Sequence, residues 1–499
     1  MKSSKKQANK ISGRAREQRI LERLFATEKS EFLTLYGRRR VGKTFLVRNF
    51  FEKKPCLFFY VTGIQEGKLK EQLGQFTKQI SAIFYEGISI VPYKSWSEAF
   101  EALTTAMLKV SKRQKIVLFF DEFPWMATKR SGLLSALEYF WNRHWTHDPR
   151  LKLIICGSSA SWIIEKIVNN KGGLHNRVTR TMILEPLNLH DTKAYLADFG
   201  NKLNDRQVLD LYMVLGGIPH YLSLVEKGLS AQQSIEELFF RRDGALVNEF
   251  DRLFSSLFKD SSAHIDIIRI IANHRYGIGQ AQLIREIKVS SGGGTTRRLK
   301  ELEEAGFIVS FLPHGHSDKG LYYKVIDEYT LFYLHWLEPR IKAIRNRDQS
   351  PGYWLSKSQS SSWKSWSGYA FEAVCSKHIA QIKKALNIDP GSESGSWRYV
   401  PRQNPESEKE EGGAQIDLLF DRPDQAITVC EIKYSMQPFT IDKIYAQTLA
   451  KKVEVYQQQT RTKKQIFLVM ITSAGLKPSK HYDELISQEV TLGDLFKSV

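Results

Sequence analysis

Residues 32–44, FLTLYGRRRVGKT, decide the fold of the first part of this chain. Phe32 to Tyr36 carry no charge and favour extended backbone, the pattern of a strand buried on both faces. Gly37 follows at once, and Gly42, Lys43 and Thr44 close the loop before an apolar-periodic stretch that reads as a helix. A strand, a loop of spacing G-x4-G-K-T and then a helix form a phosphate-binding loop in its proper context. The two glycines let backbone N–H groups curl round phosphate oxygens with no Cβ in the way. The helix N-terminus adds a partial positive charge. Lys43 is expected on the β- and γ-phosphates of ATP, and the Thr44 hydroxyl on Mg2+. The nucleotide-contacting set is Gly37, Arg40, Val41, Gly42, Lys43, Thr44 and Phe45.

Outward from this loop, strands alternate with helices. Cys56–Val61, KIVLFFDEF (residues 115–123), LKLIICGSS (residues 151–159) and TMILEPL (residues 181–187) read as buried strands with helical patterns between them. The fold class expected is α/β, a parallel P-loop NTPase sheet. Ligands of such sheets sit beyond the carboxyl ends of the strands. Asp121 is therefore expected at Mg2+ through water, and Glu122 as the general base for the attacking water. Ser158 ends another strand, where a small polar side chain can contact the γ-phosphate. Arg177, and with less reason Arg180, could bring positive charge to the transition state; whether Arg177 acts in its own subunit or a neighbour's stays open.

At 499 residues the chain exceeds what one core supports, and about two to four domains are expected. The regions read as a basic tail (1–19), the ATPase core (20–190), a helical lid (191–260), a winged helix-turn-helix (261–345), a Ser-rich linker (346–367) and a C-terminal α/β domain (368–499). The net charge of +19 favours a polyanionic partner such as nucleic acid. No apolar run approaches the roughly 18–20 residues a bilayer span needs, and the basic start lacks an apolar signal core, so no membrane partner is expected. Cys56, Cys156, Cys375 and Cys430 show no CxxC spacing, which argues against zinc and fits a reducing, cytoplasmic setting. In the winged region the helix TTRRLKELEE carries Arg297, Arg298 and Lys300 but also Glu301, Glu303 and Glu304. A DNA-reading helix and a packing spacer both remain open.

Ile11, Gly13, Arg14 and Glu17 (IxGRxxE), GRRRVGKT, FFDEFPW (residues 119–125), CGSS (residues 156–159) and GGIPHYL (residues 216–222) together resemble the archaeal-type ATPase family of prokaryotes, in the AAA+/STAND branch of P-loop NTPases. The likeness runs over roughly residues 11–230. It implies that Gly217 and Pro219 lie on the adenine. The sequence departs from ring-forming AAA+ proteins in having no clear sensor arginine after the lid. A homo-oligomer remains open.

The C-terminal region resembles the domain of unknown function often fused to these ATPases, a PD-(D/E)xK nuclease-like, restriction-endonuclease-like fold. Asp417 in GGAQIDLLF, Glu431 and Lys433 in CEIK, and Glu372 on an upstream helix carry the likeness. The chemistry is consistent with it. Asp417 and Glu431 on adjacent strands can converge, with Glu372, on one Mg2+ or Mn2+. Lys433 shares a strand face with Glu431 and could activate water. Tyr445 and Gln447, on the following helix, could line the site. The alternatives are a solvated Glu–Lys pair, or a nuclease fold used only for binding. Three functions are open: an ATP-regulated nuclease acting on nucleic acid, including defence against foreign DNA; a nucleotide-switch scaffold of STAND type; or a DNA-stimulated ATPase in repair or replication.

Overall fold

The computed structural model describes residues 10–169, 172–287, 293–314, 320–346, 350–399 and 413–499. Part of the basic tail expected at 1–19, and residues 400–412, lie outside the described residues. The chain divides into two compact units. The first holds Met1–Leu187 with Ile218–His220 and Lys300–Gly306; the second holds Asn188–Gly217, Tyr221–Leu299 and Phe307–Val499. The C-terminal region lies wholly in the second unit, as do the lid and winged regions apart from Ile218–His220 and Lys300–Gly306.

The first unit is built on five strands: β1 (Glu31–Tyr36), β2 (Cys56–Thr62), β3 (Lys115–Asp121), β4 (Leu151–Gly157) and β5 (Arg180–Ile183). All pairs are parallel, in the order β2-β3-β4-β1-β5. This is the doubly covered α/β sheet that the apolar runs predict. Every residue of β4 is buried, as are Ile116 to Asp121 of β3, because helices cover both faces. The core is aromatic: Phe100 stacks on Phe120 at 5.9 Å and meets Trp145 at 5.2 Å. Parallel register sets the carboxyl ends of the strands along one edge, with Tyr36 opposite Gly157 and Thr62 opposite Asp121.

In the second unit, helices Leu189–Asp198 and Asp205–Leu215 begin the lid. Both start at an Asn whose side chain accepts from a backbone N–H, Asn188 from Asp191 and Asn204 from Gln207, which fixes where each helix begins. The winged region has helices Ser261–Asn273, Gln280–Ile287 and Gly293–Glu304 with β6 (Ile278–Gly279), β7 (Ile308–Phe311) and β8 (Tyr322–Val325), in the antiparallel order β6-β8-β7.

The segment 346–367, expected as a linker, is not one where it is described. It carries helix Tyr353–Lys357 and the start of helix Ser361–Lys377, with Trp354, Trp363 and Trp366 all buried. The serines disguise it: Ser360 is an N-cap, while the tryptophans pack with Trp336, Trp354 lying 5.3 Å from Trp336 and 5.0 Å from Trp363.

The C-terminal sheet has β9 (Glu393–Tyr399), β10 (Ala414–Asp421), β11 (Ala426–Lys433), β12 (Gln465–Thr472) and β13 (Gln488–Val490), in the order β13-β12-β11-β10-β9. β9, β10 and β11 are antiparallel, and β11, β12 and β13 parallel. Helix Lys443–Thr460 packs on this sheet through Leu449 and Tyr456.

Candidate functional site

The phosphate loop is fixed by backbone geometry. Gly37 has φ +151°, and a Cβ there would meet the Leu184 carbonyl oxygen at 2.3 Å, so no larger residue fits. Gly42 has φ +90° and caps helix Lys43–Phe51 in left-handed conformation. Arg40 is also left-handed (φ 73°). Val41 is buried, and its carbonyl accepts from Arg14 Nη2 at 3.2 Å. The arginine of IxGRxxE therefore holds the loop from behind, a role the sequence did not reveal. Phe45 is exposed on the first turn of the helix.

Lys43 is buried, and its Nζ donates to the carbonyls of Gly37 at 2.9 Å and Arg38 at 3.1 Å. The ammonium thus spans the loop interior. Thr44 Oγ1 donates to Asp121 Oδ2 at 2.7 Å, so the two expected magnesium groups are in contact. Among the described residues, Asp121 Oδ1 is buried without a conventional hydrogen-bond partner; the buried Cys156 thiol, a weak donor, lies against the same carboxylate. Burial pushes the Asp121 carboxyl above its ordinary range, with Glu122 adding to the push, while the Thr44 bond and Lys43 oppose it. An orphaned anionic oxygen beside a hydroxyl, at the mouth of a glycine loop, suits a hard divalent cation, so the residues fit Mg2+.

Glu122 is held in left-handed backbone conformation, φ 45° and ψ 46°. Both its carboxylate oxygens are engaged by one residue: Ser158 Oγ donates to Oε1 at 2.5 Å and Ser158 N–H to Oε2 at 3.1 Å. Ser158, expected near the γ-phosphate, has its side chain on Glu122 here. It orients the glutamate, because the ends of β3 and β4 abut in the sheet. Ser158→Ala removes one of the two anchors. ATP turnover is expected to fall about tenfold, the scale of one hydrogen bond to a charged group. Nucleotide affinity should hold. A loss of affinity instead of turnover would return Ser158 to the phosphate.

Arg177 is exposed, its amide bonded to Leu174 O at 3.1 Å; Arg180 lies within β5. Among the described residues, no hydrogen bond or ion pair links either side chain to Lys43, Asp121 or Glu122. Gly217 is buried just past helix Asp205–Leu215, and Pro219 opens the short helix Pro219–Leu222. The next residue, His220, sits near Arg40, and burial, then that arginine, hold its imidazole below the usual range.

The second cluster lies in the other unit. Glu372, Asp417, Glu431 and Lys433 all line one cavity of about 410 Å3. Ile432 N–H donates to Asp417 Oδ2 at 3.4 Å, and Gln415 Nε2 to Oδ1 at 3.1 Å. Burial, then the like charges of Asp417 and Glu431, push Glu372 well above the carboxylate range; burial and Glu431 raise Asp417. Glu431 has two partners of its own. Lys452, which nothing in the sequence singles out, donates from Nζ to Oε2 at 2.6 Å, and Tyr445, a candidate lining residue, donates to Oε1 at 2.8 Å. Lys433 Nζ lies over the rings of Phe439 at 4.8 Å and Tyr445 at 4.9 Å. Gln447 is exposed outside the cavity wall. The three carboxylates share a cavity without closing on a point: among the described residues, no group of three or more His, Cys, Asp or Glu is placed to hold a metal ion. The donors fit a hard cation in kind, and Glu431 would have to exchange Lys452 for it.

A carboxyl whose folded pKa is raised binds its proton more tightly folded than unfolded. Its stabilisation is present below the ordinary carboxylate range and is lost as pH climbs through and above it. Glu372→Gln is therefore expected to melt about 2–4 °C above the parent near about pH 8 in EDTA, a gap that shrinks toward about pH 4. A pH-independent gap would remove the crowded-carboxylate account.

The family model for an ATPase domain predominantly from Archaea matches residues 12–225. Over 438 residues the chain is 26% identical to an uncharacterized protein of Methanocaldococcus jannaschii, MJECL04, covering 87% of this chain and 89% of that one. Among solved structures, the Walker-type ATPase PABY2304 of Pyrococcus abyssi aligns at TM-score 0.47 and 20% identity, over 65% of this chain and 96% of that one. The ORC2 protein of Aeropyrum pernix aligns at TM-score 0.43 and 13% identity, over 68% and 96%. No helix among the described residues is long and apolar enough to cross a membrane. With the glycine loop, Lys43 and the Thr44–Asp121 pair in place, residues 12–225 match an archaeal-type ATPase domain.

Proposed function

We propose that this chain hydrolyses ATP in its first domain and uses the nucleotide state to govern metal-dependent cleavage of nucleic acid at Glu372, Asp417, Glu431 and Lys433. The observation that carries the ATPase half is the assembly of Lys43, the Thr44–Asp121 pair and the Ser158-clamped Glu122 at one strand edge. Lys43 binds phosphate oxygens, Glu122 takes the proton of the attacking water, and Gly37 and Gly42 admit the phosphates to backbone N–H groups. Mg2+, when bound at Thr44 and Asp121, neutralises charge on the phosphates. Gly217 and Pro219 would line the adenine, and Arg177 would serve a site only by movement or from a second copy.

Support for control over the C-terminal site comes from helix Asp205–Leu215, which runs directly into Gly216 and Gly217. In this helix Asp210 accepts from Tyr434 Oη at 3.0 Å, and Arg206 donates to Ser435 O at 2.6 Å and lies 4.1 Å over the Tyr434 ring. Tyr434 directly follows Lys433, so a shift of the lid helix is transmitted to the ExK strand. The charge of +19 suits a polyanionic substrate.

A second reading, a nucleotide switch whose C-terminal fold only binds, is favoured by the Lys452–Glu431 ion pair, which occupies a carboxylate the metal would need. The experiment is cleavage of plasmid, single-stranded DNA and RNA with Mg2+ or Mn2+, with and without ATP. ATP-dependent cutting supports the first reading. ATP hydrolysis with no cutting under any condition supports the second.

A further inference from the structure

The basic helix of the winged module spends its charge locally: Arg298 pairs with Asp260 at 2.8 Å, and Lys300 lies 3.8 Å from Glu304. Other cations of the module gather elsewhere. Arg275 and Tyr276 form the turn between helix Ser261–Asn273 and β6, and Lys324 lies on β8. Arg275 Nη2 donates to Ser365 O at 3.4 Å, and its guanidinium lies 5.3 Å over the Tyr369 ring, which Lys324 Nζ reaches at 5.4 Å. Arg398 of β9 lies 5.1 Å over the Tyr276 ring. His314 N–H donates to Ser396 O at 3.0 Å, which fastens the wing to β9.

Between these surfaces run two cavities of about 410 and 330 Å3 that share Tyr276, Glu372, Gln415 and Asp417 in their walls, and so form one groove. Arg275, Lys324, Lys364, Arg398, Lys433 and Lys452 line it, six cations against the three carboxylates. Three carboxylates alone would repel a polyanion; a twofold excess of cations reverses the sign. Tyr276, 44% exposed and backed by Arg398, offers a ring face at the groove wall.

We propose that this groove binds a single strand of nucleic acid, with backbone phosphates on Arg275, Lys324 and Arg398 and a base stacked on Tyr276. The winged module then delivers the strand to Asp417 and does not read a duplex with its helix. A positive track with an aromatic platform is how unpaired strands are held, because an unpaired base offers its π-face. Binding in the groove stands without the cleavage reading of the carboxylates; only the fate of the bound strand rests on that reading.

The test uses the full chain in EDTA, so that binding is seen without cutting, and a fluorescein-labelled oligothymidylate read by anisotropy. Tyr276→Ala and the pair Arg275→Ala/Lys324→Ala are each expected to weaken binding about tenfold. The pair should also lower the log–log salt slope by about 1.4, two phosphates' worth on a single strand. Arg297→Ala/Lys300→Ala in the helix should stay within about twofold of the parent. Because the Arg275/Lys324 pair touches the Tyr369 ring, melting curves accompany it; should it unfold, Tyr276→Ala carries the test alone. Parent-like affinity in the groove variants, a loss confined to the helix variant, tighter binding to duplex than to strand, or no binding by the parent would each overturn the proposal. Cutting is scored separately with Mn2+. Groove-dependent binding with no cutting sinks the nuclease reading and leaves the groove. Cutting that needs Asp417, with binding indifferent to the groove variants, sinks the groove alone.

Discussion

Lys43→Ala is expected to lower ATP hydrolysis by on the order of 10³-fold while the chain stays folded. In the structure the ammonium is enclosed by its own loop, donating to the Gly37 and Arg38 carbonyls at 2.9 and 3.1 Å. It is the cation held inside the loop where the phosphates must enter, and one preorganised charge at a phosphoryl-transfer centre supplies roughly 4 kcal/mol of transition-state stabilisation. The cost to folding is smaller. Two bonds to carbonyls that nucleotide binding would itself disrupt are lost, about 1–2 kcal/mol in total. Phosphate release measured beside a melting curve separates the two effects. Turnover at the parent rate in a folded variant would refute the phosphate-site assignment, whatever the C-terminal domain does.

On the proposed nuclease reading, Asp417→Ala is expected to abolish metal-dependent cutting, a loss of about 10³-fold or more, and to leave ATP hydrolysis unchanged. Asp417 lines one cavity with Glu372 and Glu431, and among the described residues its oxygens are met by the Ile432 amide and the Gln415 side chain and by no cation at hydrogen-bond distance. That leaves it the readiest donor to a divalent ion, which contributes several kcal/mol of charge stabilisation in phosphodiester chemistry. Removing it also relieves like-charge crowding, so the variant should be no less stable than the parent at neutral pH. Lys433→Ala should share the loss of cutting. Plasmid and single-stranded substrates with Mn2+ give the readout. Full cutting by Asp417→Ala would mean the hydrolytic centre lies elsewhere, or that a contaminating nuclease was measured.

The phosphate loop was legible because everything it needs is contiguous: a buried strand, two glycines that tolerate φ +151° and φ +90°, a lysine and a helix start. The five-stranded parallel sheet was legible in its unbroken apolar runs, since strands buried on both faces leave no polar alternation to mislead. Asp121 and Glu122 came with it, because they end one of those runs.

Partners supplied by a segment distant in sequence were not legible. Ser158 was expected on phosphate and is found on Glu122, a partnership set by neighbouring strand ends 36 residues apart. Arg14 reaches Val41 across 27 residues, and Lys452 reaches Glu431 across 21. Serines made 346–367 look like a linker, yet its tryptophans find partners in Trp336 and in one another. The winged module's basic helix drew attention in the sequence, while Arg275 and Lys324, dispersed along the chain, meet only once β8 is set against helix Ser361–Lys377. The sequence by itself determined the local units, because backbone propensity, glycine freedom and apolar periodicity act within a few residues. Tertiary structure alone decided which carboxylate is clamped, which is ion-paired and which cations share a groove, because those depend on strand register and on the packing of segments that no local pattern connects.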